Sequence, residues 1–162
     1  MKVKEMMTST ALKYCVPGTK LHEAAAIMKE ANCGALPVVD ENRRILGMIT
    51  DRDICLSLAD SYKKPHPQLP VEDIMSPHVL SVHIDDHIAR VLKKMRTRKI
   101  GRLPVVDDNK KLQGIITIHD LVSGTFSGKA DLVDILSSGE SISKTIKALN
   151  QRYASHEIMA IH

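Results

Sequence analysis

Residues 34–53 read GALPVVDENRRILGMITDRD, and residues 101–120 read GRLPVVDDNKKLQGIITIHD, 67 positions later and without a gap. Eleven of these twenty positions are identical: Gly34, Leu36, Pro37, Val38, Val39, Asp40, Asn42, Gly47, Ile49, Thr50 and Asp53 each recur. A repeat of this period constrains the architecture more than any other feature. Each copy is one supersecondary unit, and neighbouring copies complete each other's core. The pattern extends upstream. Leu21, Ala24, Ala25 and Met28 follow the spacing i, i+3, i+4, i+7, and so do Ile88, Val91, Leu92 and Met95 at the same offset. Both segments predict an amphipathic helix with one buried stripe. Further upstream, VKEMM at residues 3–7 matches VEDIM at residues 71–75 at an offset of 68, so one residue was added or lost in between.

Each copy then reads β-α-β-β-α. A short extended stretch (Leu12–Cys15, Val79–Val82) leads into the amphipathic helix. Strands follow at Leu36–Val39 and Leu103–Val106, and the polar stretches Asp40–Arg44 and Asp107–Lys111 turn the chain. Second strands at Ile45–Ile49 and Leu112–Ile116 run into helices at Asp51–Leu58 and Ile118–Val122. The expected fold is α+β: two βαββα repeats packed as a pseudo-two-fold pair, plus a C-terminal helix. The expected boundaries are 1–60 for repeat one, 61–70 for the linker, 71–124 for repeat two and 125–162 for the extension. The linker SYKKPHPQLP has three prolines and reads as a stiff extended connection. In the extension, Ile142, Ile146, Leu149 and Tyr153 form a stripe at helical spacing, and Asp131–Leu136 reads as a short helical turn.

Composition narrows the function classes. The 162 residues allow one ordinary domain or two small ones sharing a core. Aromatic residues are only 2%, so the core is aliphatic and a base-stacking platform for single strands is not expected. The net charge of +4 is mild. The densest basic run, Lys93, Lys94, Arg96, Arg98 and Lys99, lies on a helix with a regular apolar face, and reads as a solvated outer surface. Nucleic acid is therefore not an expected partner. Cys15, Cys33 and Cys55 form no CxxC pair, which points to reduced thiols and a cytoplasmic location. The N-terminus shows no apolar signal core, and no stretch is long and apolar enough for a membrane helix. His83 and His87 do not share a helix face, so no metal site is expected. Neither a nucleophile–base pair nor a Walker loop is present, and no enzyme activity is expected.

Thr50-Asp-Arg-Asp53 and Thr117-Ile-His-Asp120 fall where a strand ends and a helix begins. Two uses are open. Thr can cap the helix while the carboxylate three residues on completes a capping box. Alternatively the Asp accepts hydrogen bonds from a ligand while the Thr hydroxyl and the helix start face an anion.

LPVVD followed by G-x-I-T-x-x-D, twice and in register over roughly residues 3–124, resembles a tandem pair of CBS domains, the regulatory repeats named after cystathionine β-synthase. The chain is similar to small stand-alone bacterial CBS-pair proteins. That resemblance implies a regulatory module that binds an adenosine-containing ligand (AMP, ADP, ATP or S-adenosylmethionine) in clefts between the repeats, requires no cofactor, forms a homodimer and signals to a protein partner. A ligand-free interaction module is the alternative, and a nucleic-acid binder that uses the basic helix is a third, less favoured one. The resemblance puts Asp53 and Asp120 on the ribose hydroxyls and Thr50 and Thr117 beside phosphate. It puts a basic residue before LPV on phosphate: Arg102 in repeat two, where repeat one departs with Ala35. It puts a Thr or Ser near adenine: Ser81 in repeat two, where repeat one departs with Tyr14. On this reading Asp53 gains Arg102 but faces Tyr14, while Asp120 gains Ser81 but lacks the arginine. Arg52 and His119 reach a phosphate or point to solvent. Pro37 and Pro104 shape strand edges, and the resemblance lines the adenine slot with that wall.

Overall fold

The computed structural model describes residues 1–58, 68–126 and 142–154. In order, the elements are α1 (Leu21–Glu30), β1 (Ala35–Val39), β2 (Ile45–Thr50), α2 (Asp51–Ser57), β3 (Val82–His83), α3 (Ile88–Arg98), β4 (Arg102–Val106), β5 (Leu112–Thr117), α4 (Ile118–Phe126) and α5 (Ile142–Ala154). The architecture is mixed α+β, with the order β-α-β-β-α in repeat two and α-β-β-α in repeat one, where the expected first strand is reduced to a single bridge at Cys15. The linker, apart from residues 68–70, and the turn expected at Asp131–Leu136 lie outside the described residues.

The chain divides into two compact units that do not follow the repeats from end to end. Unit 2 comprises Ala11–Leu80 and Val106–Leu112; unit 1 comprises Met1–Thr10, Ser81–Val105 and the residues from Gln113 on. The matched leaders therefore change places. Val3, at the start of repeat one, is fully buried in unit 1, and Val71, at the start of repeat two, is fully buried in unit 2. Burying one such side chain contributes roughly 1.5–3 kcal/mol. Backbone bonds fix each leader at equivalent places. Val3 N donates to Asp86 O and Lys4 N to Ile84 O (2.9 and 3.1 Å); Val71 N donates to Thr19 O and Glu72 N to Pro17 O (2.8 and 3.1 Å).

Within unit 2, β1 and β2 pair antiparallel, with Leu36 opposite Ile49 and a bulge between Val38 and Val39. The stretch expected to be extended at Leu12–Cys15 contributes one parallel bridge, Cys15 to Val38. Its core gathers Cys15, Leu21, Ala24, Met28, Leu36, Val38, Ile49 and Val71. Burial pushes the Cys15 thiol up to about 11. On the far side of β2, Met48 exchanges two backbone bonds with Ser76 (3.1 and 2.9 Å).

Unit 1 repeats the plan. Val82 stands 67 residues after Cys15 and extends into a two-residue strand, giving the order β3-β4-β5. Ile88, Val91, Leu92 and Met95 are buried from α3, as their spacing predicts. Thr8 pairs with Ile115 as Ser76 pairs with Met48. Helix α4 runs to Phe126, four residues beyond the expected Val122.

Helix α5 forms where the stripe predicts it, but its buried face is different. Thr145 is fully buried and Ile146 is 38% exposed. The reason is the neighbour: α5 packs on α3 and α4, and Thr145 Oγ1 donates to Leu92 O at 3.5 Å. A hydroxyl with a carbonyl acceptor can be buried there without penalty. Among the described residues, no helix is long and apolar enough to cross a membrane.

Candidate functional site

The sequence puts Thr50 at the last position of β2 and the first residue of α2 immediately after it. Its extended backbone (φ −120°, ψ 160°) lets the hydroxyl fold back as an N-cap. Asp53 N donates to Thr50 Oγ1 at 3.1 Å. In return Asp53 Oδ2 accepts from Thr50 N at 2.9 Å and from Thr50 Oγ1 at 2.7 Å. The motif in unit 1 makes the same three bonds. Asp120 N donates to Thr117 Oγ1 at 3.1 Å, and Asp120 Oδ2 accepts from Thr117 N and Thr117 Oγ1, both at 2.7 Å. The capping reading is thus realised at both junctions, and both carboxylates are half-buried.

Capping occupies only one oxygen of each carboxylate. Among the described residues, Asp53 Oδ1 has no hydrogen-bond donor. Asp120 Oδ1 accepts from Thr8 Oγ1 at 3.4 Å. An ionised carboxylate only accepts, with roughly four lone-pair positions. A vicinal diol offers two O–H donors, and charge-assisted bonds of this kind are short and strong. Each junction can hold a diol through Oδ1 without giving up its cap, and the Asp53 Oδ1 is the one to which no described residue donates.

The remaining candidates sit on the same elements or next to them. Arg52 is exposed on the first turn of α2, and His119 is exposed on the first turn of α4 with Nδ1 3.4 Å from Ser123 Oγ. Arg102 is exposed at the first position of β4, and Pro104 is buried two residues on. Ser81 is half-buried, and its carbonyl accepts from Lys94 Nζ at 2.7 Å. Burial lowers the Lys94 ammonium, Arg90 adds to that effect, and Asp86 opposes it. Pro37 is buried, and its carbonyl accepts from Cys15 N at 3.0 Å. Thr50, Arg52 and Asp53 belong to unit 2; Ser81, Arg102, Pro104, Thr117, His119 and Asp120 belong to unit 1.

Three participants were not singled out from the sequence. Thr8 directly follows the leader 3–7 that is matched at offset 68, and that match is the signal that could have found it. Lys94 anchors the Ser81 strand start. Arg43 sits over the Tyr14 ring at 5.1 Å from its centroid. It adopts a left-handed backbone conformation (φ 62°), as does its counterpart Lys110 (φ 60°). The cation covers one face of the ring that replaces the expected Thr or Ser.

A separate open cavity of about 540 Å³ lies in unit 2 beside the end of α1 and the start of α2, with Met28, Lys29, Cys33, Asp51 and Ile54 in its wall. Neither Thr50 nor Asp53 lines it. Among the described residues, no group of three or more His, Cys, Asp or Glu is placed to hold a metal ion.

Comparison with known proteins places these junctions in a wider set. The CBS domain family matches at residues 3–60 and again at 71–125. Protein YlbB of Bacillus subtilis is 42% identical over 121 residues, which is 74% of this chain and 79% of that protein. The CBS domain-containing protein YhcV of the same species is 35% identical over 128 residues, covering 79% of this chain and 88% of that one. By contrast, the match to the L-aspartate semialdehyde sulfurtransferase of Methanocaldococcus jannaschii, at 38% identity, covers 66% of this chain but only 20% of that enzyme. Among solved structures, the CBS domain pair of protein MJ0100, in complex with 5′-methylthioadenosine and S-adenosyl-L-methionine, superposes with a TM-score of 0.68 at 32% identity, covering 80% of this chain and 98% of the other. CBSX2 in complex with AMP gives a TM-score of 0.69 at 27% identity, with coverage of 80% and 98%.

Proposed function

This chain belongs to the CBS-domain family, and from that premise we propose that it is a regulatory module, not an enzyme, that binds an adenosine-containing ligand and signals to a protein partner. Residues 1–60 and 71–124 act as the two regulatory repeats, joined by 61–70, with 125–162 as an extension. The ligand is AMP, ADP, ATP or S-adenosylmethionine, and the protein works in the cytoplasm as a homodimer with no required cofactor.

The observation that carries the reading is the Asp53 carboxylate oxygen to which no described residue donates. Asp53 Oδ1 is the leading ribose acceptor and Asp120 Oδ1 the weaker one. Thr50, Thr117 and the exposed Arg52, Arg102 and His119 supply hydrogen bonds and charge to the phosphates or to another polar end. Ser81 and Pro104 meet the adenine. The ligand-bound structures of MJ0100 and CBSX2 support this ligand class. Arg52 and Arg102 are the best phosphate ligands of the set, because an exposed guanidinium can take two phosphate oxygens at once.

Thermal unfolding of the full chain with AMP, ADP, ATP, S-adenosylmethionine or 5′-methylthioadenosine tests the proposal. A ligand that binds only the folded protein stabilises it by about 2.7 kcal/mol at a concentration 100 times its Kd. The expected result is a concentration-dependent rise in Tm with at least one of them. No rise with any would favour a ligand-free interaction module. One observation already points that way: Arg43 over the Tyr14 ring occupies a face that repeat two leaves to Ser81. Homodimerisation is tested separately by light scattering, where a 17.9 kDa species alone would refute it.

A further inference from the structure

In unit 1 the basic run of α3 does not stand alone. Helix α5 packs against α3, with Thr145 buried at Leu92 and Leu149 so close that a methyl on Gly101 would lie 3.7 Å from its Cδ1. The two helices concentrate charge of one sign. With the α3 cap residue Lys99, they hold nine of the chain's 23 Lys and Arg: Arg90, Lys93, Lys94, Arg96 and Arg98 on α3, and Lys144, Lys147 and Arg152 on α5. None of the 19 Asp and Glu lies on either helix, so the remaining 14 cations are outnumbered elsewhere in the chain. The mild overall charge hides a local excess of cations on these two helices. Arg90, Lys93, Arg98, Lys99, Lys144 and Lys147 are exposed. Arg90 is paired to Asp86 at 2.9 Å, which lies just before the helix.

We propose that the packed pair α3–α5 is a docking surface for double-stranded nucleic acid, held through its phosphates without sequence preference. A duplex carries one charge per ~1.7 Å of axis, so a cationic helix pair meets several phosphates wherever it lands. α3 alone, at 11 residues, is about 16 Å long. Three alternatives fit the face less well. A protein interface needs a desolvated core with apolar or aromatic anchors; Ile146 is the one exposed large apolar side chain described on these helices. A membrane-surface helix needs an apolar face free to insert, whereas α5 turns Thr145 toward α3 and Leu149 toward Gly101. A single-strand platform needs stacked aromatics, and the whole chain has three Tyr, one Phe and no Trp. The sequence alone assigns the α3 run to a solvated surface; α5 adds the exposed Lys144 and Lys147 and no carboxylate to it.

The test is fluorescence anisotropy of the full chain with labelled duplex DNA and duplex RNA of about 20 base pairs, titrated between about 50 and 200 mM salt. Polyglutamate, single strands and phosphatidylserine vesicles serve as comparison anions. The expected result is duplex binding that is indifferent to sequence and weakens with salt, with a log–log slope of about −4 for some four or five phosphates. The variant Lys93→Gln/Arg98→Gln/Lys144→Gln/Lys147→Gln loses at least about tenfold in affinity and gives a shallower slope. The double variant Lys93→Gln/Lys147→Gln gives an intermediate loss and serves if the quadruple one does not fold. No duplex binding at the lowest salt would overturn the proposal. So would polyglutamate, single strands or vesicles binding as tightly as duplex, or unchanged duplex affinity in a folded variant.

Discussion

Asp53 in unit 2 and Asp120 in unit 1 stand in identical bonding frames: one oxygen takes the Thr amide and hydroxyl, and the Asp amide returns to the Thr. They differ at the second oxygen. Thr8 Oγ1 lies 3.4 Å from Asp120 Oδ1, whereas no described residue donates to Asp53 Oδ1. The source of the difference is the leader. Thr8 and Ser76 occupy equivalent bridging positions on β5 and β2, yet only the Thr8 hydroxyl reaches a site carboxylate. Identical local motifs therefore give unequal sites, because the segment laid across each hairpin is not identical.

The leaders themselves offer the largest expected difference. A Cβ on Gly114 would lie 2.7 Å from the backbone oxygen of Thr8, while one on Gly47 would lie 2.5 Å from Met75 Sδ and 3.1 Å from Ser76 O. A side chain can swing aside more easily than backbone can shift. Gly114→Ala is therefore expected to cost about 1–3 kcal/mol in urea unfolding, the usual range for overpacking, and Gly47→Ala less. Equal losses would show that the two leaders are held alike. Thr50→Ala and Thr117→Ala remove equivalent caps. Each is expected to cost about 1 kcal/mol, typical for loss of such a cap, and a clear inequality would break the identity of the frames.

A smaller effect distinguishes the unit 1 leader by pH. Side-chain bonds from Lys4 (2.9 Å) and Lys2 (3.1 Å) hold the Asp85 carboxyl down to about 2, against an ordinary 3.8. Because the folded value is the lower one, the stabilisation is complete above 3.8 and fades as pH falls toward 2. Asp85 is exposed, so the effect is modest and salt-sensitive. Wild type and Asp85→Asn should differ slightly in Tm at about pH 5 and converge at about pH 2. A difference that grows in acid would contradict the assignment.

Much of the fold is legible in the sequence because its causes are local. The 3.6-residue spacing of Leu21, Ala24 and Met28, and of Ile88, Val91, Leu92 and Met95, marks faces that the structure buries, whereas Ala25, counted in the first stripe, is exposed. Thr50 and Asp53, three residues apart at a strand end, make the capping pair legible without any tertiary knowledge. What remained hidden depends on distant residues. The exchange of leaders cannot be read from VKEMM and VEDIM, which look alike whichever hairpin they cover. The face that α5 buries keeps Ile142 and Leu149 of the predicted stripe half-buried but centres on Thr145, whose hydroxyl meets the Leu92 carbonyl, and Ile146 is left exposed. Arg43 over Tyr14 needed a left-handed turn residue to project its side chain back across the hairpin. No local pattern marks that.

We propose the Asp53 junction as the principal ribose acceptor, and calorimetry of three variants distinguishes it from the Asp120 junction. AMP, ATP and adenosine are titrated into Asp53→Ala, Asp120→Ala and Arg102→Ala, each first shown to be folded. A hydrogen bond to a charged group contributes roughly 1.5–3 kcal/mol, which is about a tenfold or greater change in affinity. Asp53→Ala should weaken all three ligands by that factor, Asp120→Ala by less, and Arg102→Ala should weaken AMP and ATP while sparing adenosine. Loss of binding in Asp120→Ala with full affinity retained in Asp53→Ala would contradict the account.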